Sequence, residues 1–132
     1  MKSHEVKITK VHAVRLQSGE DLLRGLQEFV KAHGITFGVI LSGIGSASQY
    51  RVHAVRTVNM PPGDEIFGKA GPYDILNVNG FVLDGRVHAH VTLSDTRQAI
   101  GGHLEEGTRV LTMAIVTVAE TPGAAISEWD RF

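Results

Sequence analysis

The stretch YDILNVNGFVLDGRVHAHVTL, residues 73–93, decides the fold. Its two halves, residues 73–83 and 86–93, are rich in β-branched and apolar residues and flank the pair Asp84-Gly85. An Asp-Gly pair between two such runs is typical of a two-residue hairpin turn, because both turn residues must adopt positive φ. The stretch therefore predicts two neighbouring antiparallel strands.

Further strands are predicted on both sides of this hairpin. Residues 6–16 alternate in polarity and predict a first strand. Residues 36–44 form a nearly continuous apolar run, which favours a buried strand. The remaining predicted strands cover residues 47–58, 100–104 and 109–118, and a loop is predicted over residues 59–71.

One helix is predicted between the first two strands. It begins near Ser18, whose hydroxyl can cap a helix N-terminus, and ends at Gly34, a residue that favours the left-handed C-cap conformation. Five apolar residues recur inside it at helical spacing: Leu22, Leu23, Leu26, Phe29 and Val30.

An early helix followed by strands with short connections predicts an α+β fold. We expect a largely antiparallel or mixed β-sheet packed on the amphipathic helix. The length of 132 residues suits one domain. We therefore expect a single domain over residues 1–132, with its core in residues 6–118 and an irregular tail from residue 120 to 132.

Composition excludes several classes of function. The chain has 13 basic and 14 acidic residues, so it lacks the basic excess that phosphate contacts require, and no direct DNA binding is expected. It has no cysteine, which excludes disulfides, thiolate metal sites and a cysteine nucleophile. No apolar run reaches membrane-spanning length and no signal peptide is evident, so we expect a cytoplasmic protein without membrane association.

Three of the seven histidines have a spacing with a geometric consequence. His88 and His90 occupy positions i and i+2 of a strand and therefore share a face. If the next turn is centred on residues 96–97, Leu93 pairs with Ile100, and His90 lies opposite His103 with Cβ atoms about 5 Å apart. Three converging imidazoles predict a divalent metal site, with zinc as the expected ion. The alternative is three histidines on a solvated sheet face.

The other histidines and the acidic residues have simpler interpretations. Structural or solvated roles are expected for His4, His12, His33 and His53. Four carboxylates are candidates for a general base, each expected to be solvated: Glu65, Asp95, Glu105 and Glu120.

A glycine-rich segment, Leu41-Ser42-Gly43-Ile44-Gly45-Ser46, follows the buried run. It lacks the lysine of a P-loop and the full dinucleotide-binding glycine spacing, so it predicts a bend beside the core rather than a phosphate site. Ser42, Gly43 and Ser46 are candidate pocket-lining residues.

Taken in order, several motifs resemble a known family. They are LSGIGS at residues 41–46, GPYDILNVNG at 71–80, His88-Ala89-His90 with Ser94-Asp95, GGHL at 101–104 and GTRV at 107–110. The ordered set resembles the stand-alone prokaryotic PPC domain (plant and prokaryote conserved domain, also called domain of unknown function 296). The resemblance covers residues 6–118.

This resemblance implies a homotrimeric α/β domain. Prokaryotic members of the family bind metal through His-x-His and Gly-Gly-His, and all three histidines are present here. In plants the domain follows AT-hook DNA-binding motifs, whose Arg-Gly-Arg-Pro core is absent from this chain. The plant interaction segment GRFEIL corresponds to Gly71-Pro72-Tyr73-Asp74-Ile75-Leu76, in which proline replaces the arginine.

Two hypotheses about function follow. The first is a homotrimeric metal-binding protein that acts on or senses a small molecule at the three-histidine site. The second is a non-enzymatic module for self-association and protein interaction, related to the AT-hook-linked domains. The sequence leaves open whether the protein is an enzyme.

Overall fold

The computed structural model describes residues 1–131 and has an α+β architecture. Within these residues it contains one helix and six strands: β1 Lys10–Gln17, α1 Leu22–Ala32, β2 Phe37–Val55, β3 Asp64–Leu83, β4 Arg86–Ser94, β5 Ala99–Leu104 and β6 Arg109–Glu120. Every strand pairing described is antiparallel, which confirms the expected antiparallel sheet with an early helix.

The six strands form one sheet in the order β1-β6-β2-β3-β4-β5. β5 also pairs with the far end of β2, so β2, β3, β4 and β5 form a closed ring of pairings. β2 and β3 have 19 and 20 residues, so one part of each strand can belong to the open sheet and the other part to the ring of pairings. Irregular pairing between Ala47 and Gln49 bends β2 between its two halves.

The hairpin that decides the fold forms as predicted. Asp84 and Gly85 have φ values of 54° and 74°, the conformation expected of a two-residue turn. β4 follows directly and pairs with β3 from Leu83↔Arg86 onward.

The predicted bend at residues 41–46 is wrong, because β2 runs without interruption from Phe37 to Val55. The glycines serve close packing here. A Cβ atom at Gly43 would lie 2.7 Å from the Cβ of Val78, so only glycine lets β2 approach this buried side chain.

The predicted loop over residues 59–71 is also too long. β3 begins at Asp64, so residues 71–76 lie in the middle of a strand rather than at its entrance. Burial alternates along this segment as it should in a strand, with Tyr73 and Ile75 buried and Asp74 and Leu76 exposed.

The helix begins later than predicted. Its N-cap is Asp21, not Ser18, because the Asp21 carboxylate accepts hydrogen bonds from the backbone N–H of Arg24 at 3.1 Å and of Gly107 at 2.7 Å. The predicted C-terminus is confirmed, since Gly34 has a φ of 61°.

The predicted start of the first strand is four residues too early. β1 begins at Lys10, because β6, with which it pairs, ends at Glu120 directly opposite.

The main core lies between α1 and the sheet. Leu22, Leu26 and Val30 are the buried residues of the helix, and they join a cluster that includes the inward side chains of the strands. α1, with eleven residues, is the helix of residues 1–131, and it is neither long nor apolar enough to cross a membrane.

The segment after β6 has turns but neither helix nor strand over residues 121–131, as expected for the tail. It is nevertheless anchored. Ala124 and Ile126 are buried in a small second cluster with Leu83, against which Phe37 packs. This anchoring holds Asp130 beside β4.

Candidate metal centre

The register of the β4–β5 hairpin is the one predicted from the sequence. Leu93 pairs with Ile100, and His90 pairs with His103. His88 lies two positions before His90 and on the same side of β4, away from the inward side chains of that strand. The local turn thus brings three histidines to one surface of the sheet.

Closure of the ring adds a fourth histidine. β2 pairs with β5 so that His53 lies directly opposite His103. His53, His103 and His90 therefore form a row across three neighbouring strands. We refer to His53, His88, His90 and His103 as the four-histidine group.

The other three rings of this group all lie close to the ring of His103. The His103 centroid lies 4.3 Å from that of His53, 4.5 Å from that of His88 and 5.3 Å from that of His90, and the His88 and His90 centroids are 5.7 Å apart. His103 is thus the centre of the group.

The sequence interpretation missed His53, to which it assigned a structural or solvated role. The sequence indicated that His53 lies in a strand, but not which strand pairs with it. His53 and His103 are 50 residues apart, and they pair only because β5 returns to the far end of β2. The signal that could have found it is the Gly101-Gly102 pair. A Cβ at Gly102 would lie 2.7 Å from the His53 carbonyl oxygen, so this glycine permits the close approach of β5 to β2.

Three of the four rings are held by hydrogen bonds through Nδ1. His53 donates to Glu105 Oε1 at 2.6 Å, His88 to Asp130 Oδ2 at 3.0 Å, and His103 to the Leu104 carbonyl oxygen at 3.3 Å. With Nδ1 protonated, each ring keeps an unprotonated Nε2 with a free lone pair. Metal-ligating histidines typically have such outer partners, which fix both the tautomer and the orientation of the ring.

Two rings of the group, those of His103 and His90, favour the neutral form. Burial first, and then the neighbouring His53, His88 and His90, lower the pKa of His103 to about 4, although Glu105 acts in the opposite direction. Burial, followed by His88 and His53, also lowers the pKa of His90. Neutral imidazole is the form that binds a metal, so His90 and His103 need little deprotonation at neutral pH.

A carboxylate joins the donors at one end of the group. Single ligand atoms of His53, His103 and Glu105 lie within 4.8 Å of one another, whereas those of the predicted His88, His90 and His103 do not all lie so close in the described part of the chain. Glu105 was expected to be solvated, yet its side chain is only 30% exposed and is bonded to His53. The expectation failed because the pairing of β5 with β2 brings the residue after β5 against the His53 ring.

Asp130 closes the other end of the group. Its Oδ2 accepts hydrogen bonds from Arg86 Nη1 at 2.7 Å and from His88 Nδ1, whereas its buried Oδ1 has no hydrogen-bond partner. The Arg86 guanidinium, assisted by His88, holds the pKa of Asp130 well below its usual range, although burial acts in the opposite direction. No sequence pattern pointed to this residue, since the tail has no periodicity.

Both ends of the group open into one pocket of about 540 Å³. Its walls include all four histidines, Arg86 and Asp130. It is large enough for a small molecule beside a bound ion.

The candidate pocket-lining residues of β2 lie elsewhere on the sheet. Ser42 and Ser46 form hydrogen bonds of 2.8 Å and 2.6 Å with Thr117 and Thr112 of β6, and Gly43 is buried against the core. Their pocket-lining role stays a prediction, as does the role of residues 71–76 in protein interaction.

The other acidic candidates are also separate from the four-histidine group. Glu120 accepts a hydrogen bond from His12 at 2.7 Å, Asp95 accepts two from the backbone of its own turn, and Glu65 is exposed on β3.

Comparison with known proteins places this geometry in a family context. The family model of the Plants and Prokaryotes Conserved (PCC) domain matches residues 3–122. A metal-containing protein from Archaeoglobus fulgidus superposes with a TM-score of 0.76 at 27% identity, covering 92% of this chain and 86% of that one. A plant- and prokaryote-conserved protein from Pyrococcus horikoshii superposes with a TM-score of 0.78 at 25% identity, covering 93% and 86%.

A curated relative is much longer than this chain. The bifunctional protein GlmU of a Synechococcus strain is 32% identical over 114 residues, which are 86% of this chain. The chain spans only 17% of the length of that protein.

Proposed function

Because the chain belongs to the Plants and Prokaryotes Conserved domain family, we propose that it is a metal-binding protein that holds one divalent cation on His88, His90 and His103. The observation that carries this proposal is the convergence of the imidazoles around His103, with the Nδ1 atoms of His88 and His103 already bonded to protein groups. Zinc is the proposed ion, because it accepts three-histidine coordination without redox chemistry. The similar protein from Archaeoglobus fulgidus is a metal-containing protein.

We include His53 in the donor set. Its ring stacks on that of His103 with centroids 4.3 Å apart, and its Nδ1 is taken by Glu105, which leaves Nε2 for an ion. His53 can complete the coordination shell of the ion as a fourth ligand, or water or a small molecule can take that position instead. An open position is the mark of catalytic rather than structural zinc sites.

A cation at this position would supply Lewis acidity and would lower the pKa of a bound water. The chain's own residues have separate tasks. Asp130 and Glu105 orient His88 and His53, and Arg86 fixes the Asp130 carboxylate. The pocket beside the histidines takes a small molecule, on which the protein acts or which it senses.

The homotrimer is part of the proposal, and so is a cytoplasmic location. The large aliphatic residues of β2, β3 and β6 that are exposed in a single copy of the chain include Leu41, Ile44, Leu76, Leu111 and Ile115. Ile44 and Ile115 are direct partners in the β2–β6 ladder and so lie side by side. A second copy covering them would remove apolar surface from water. The family resemblance supplies the number three, which light scattering at micromolar concentration would test.

The second candidate function is self-association and protein interaction without catalysis. It is favoured by the same exposed aliphatic residues and by the position of residues 71–76 on β3, where Leu76 is exposed. In either case we propose no specific DNA binding by this chain, since its basic and acidic residues nearly balance. A band shift of submicromolar affinity at physiological salt would contradict that.

Elemental analysis after purification without added metal tests the first proposal. We expect about one equivalent of divalent metal in the wild type and almost none in His90→Ala, with an unchanged circular dichroism spectrum. His33→Ala is the matched control, since His33 lies at the exposed end of α1. Equal metal in wild type and His90→Ala would refute the assignment, and metal-free wild type would favour the interaction module.

A further inference from the structure

A second pocket shares two walls with the metal pocket. It has a volume of about 210 Å³, and its lining is mainly apolar: Phe81, Leu83, Ile126 and Trp129. Its remaining walls are His88 and Asp130, both of which also line the metal pocket. A molecule bound at the histidines therefore has an apolar space next to it.

The anchored tail builds this second pocket. Ile126 is buried against Leu83 of β3, and the backbone N–H of Trp129 donates to the Ile126 carbonyl oxygen at 3.2 Å. This turn sets the Trp129 ring over the pocket and points Asp130 toward His88. Trp129 and Phe81 are each 47% exposed, so both rings retain apolar surface that a ligand can cover.

Asp130 marks the junction of the two pockets. Its side chain is only 9% exposed, and one oxygen is shared by Arg86 and His88. The other oxygen, Oδ1, is buried without a hydrogen-bond partner. Asp130 thus forms part of the wall between the two pockets and holds the His88 ring in place.

The size of the apolar pocket limits what can enter it. An apolar cavity of about 150 Å³ is known to hold a benzene molecule. A space of about 210 Å³ thus has room for one aromatic ring or a short branched alkyl group.

We propose that the two pockets bind one small molecule with a metal-binding head and an apolar substituent of about the size of one ring. The head lies at the histidines, and the substituent lies between Phe81 and Trp129. This inference rests on the proposed metal centre and adds the class of ligand to it.

Two hydroxamic acids test the proposal with cobalt(II)-loaded protein. Acetohydroxamic and benzohydroxamic acid present the same metal-binding head with an N–H donor, and they differ in a methyl against a phenyl group. Cobalt absorption in the visible range reports binding of the head. Trp129 is the only tryptophan of the chain, so its fluorescence reports occupation of the apolar pocket.

In the wild type we expect benzohydroxamic acid to bind about tenfold more tightly than acetohydroxamic acid, because partial burial of the ring supplies that factor. Only the aromatic ligand should change the Trp129 fluorescence strongly. Trp129→Ala and Phe81→Ala should each lose most of the preference and keep the metal and the affinity for acetohydroxamic acid. Phe67→Ala, which removes an exposed ring elsewhere on β3, should keep the preference.

The possible failures are distinguishable. Equal affinities for the two acids in metal-loaded wild type would overturn the two-pocket proposal and leave the metal centre intact. A preference that survives in both Trp129→Ala and Phe81→Ala would do the same. Failure to load cobalt or zinc would overturn the metal centre and this inference together.

Discussion

Within residues 1–131, histidine rings meet in two places, and these differ in what the ring nitrogens contact. The four-histidine group joins β2, β4 and β5. The second place, which we call the helix-end group, consists of His12 on β1, His33 after α1 and the ring of Phe29. Ring distances are similar, with His12 and His33 at 5.4 Å and His90 and His103 at 5.3 Å.

The two groups differ in which ring nitrogens are hydrogen-bonded to protein groups. In the helix-end group, Nε2 of His12 is occupied by Glu120 at 2.7 Å, whereas His33 donates from Nδ1 to the Phe29 carbonyl oxygen at 2.9 Å, so only the His33 ring keeps a free Nε2. In the four-histidine group the outer hydrogen bonds use Nδ1 and leave Nε2 free. Proximity of rings is therefore a poor sign of a metal site, and the direction of the bonded nitrogen is a better one.

The largest expected effect comes from removing His103, which belongs both to the predicted triad and to the His53–His103–Glu105 donors. His103→Ala should lose bound metal completely and weaken affinity by more than a hundredfold. His12→Ala should retain about one equivalent. Isothermal titration with zinc measures both. Similar affinity in the two variants would erase the distinction between the groups.

Removal of an outer partner should have a smaller effect. Asp130→Asn keeps the shape of the side chain but removes the charge that holds His88, and we expect metal affinity to fall by 10- to 100-fold. Glu120→Gln alters the equivalent carboxylate of the helix-end group and should leave affinity unchanged. Competition with a chromophoric chelator compares them, and equal losses would contradict a specific role for Asp130.

The free energy of unfolding of the metal-free protein should depend on pH through the four-histidine group. Because the pKa of His103 is lowered from 6.5 to about 4, the unfolded chain binds the proton more readily. The free energy of unfolding should be highest above pH 6.5 and should fall as pH decreases toward 4, by at most about 2 kcal/mol after allowance for the partly exposed ring. Urea unfolding of wild type and His103→Gln measures it, since the variant should lack this component.

The smallest expected effect belongs to the ion pair of the helix-end group. The hydrogen bond from His12 lowers the pKa of Glu120, so Glu120 stabilises the fold above its ordinary pKa and loses that contribution as pH falls through the lowered value. Glu120→Gln should slightly lower the melting temperature at pH 7 and have no effect in strong acid. A difference that persists at low pH would show that packing, not charge, is responsible.

Prediction from sequence worked where contacts are local. The Asp84-Gly85 turn and the short turn after β4 fix their registers within a few residues, so the His90↔His103 pair followed from spacing alone. Residues 36–58 were predicted as two strands because the glycines of residues 41–46 were interpreted as a bend. They form one strand, in which Gly43 allows close packing on Val78.

The parts of the site that were missed depend on distant contacts. His53 reaches His103 only after β2 and β5 close the ring, and no local pattern encodes that pairing. Asp130 comes from a tail without periodicity, which is anchored by Ala124 and Ile126. In both cases the decisive information is tertiary packing rather than propensity or period.

Two residue pairs, Val52↔Leu104 and His53↔His103, join β5 to β2. So short a junction is where the ring opens at the lowest free energy in thermal fluctuations. A cation bound by histidines on both of these strands would oppose that opening, and amide hydrogens near the junction would then exchange more slowly. The supply of metal would then control how often the pairing between β2 and β5 opens.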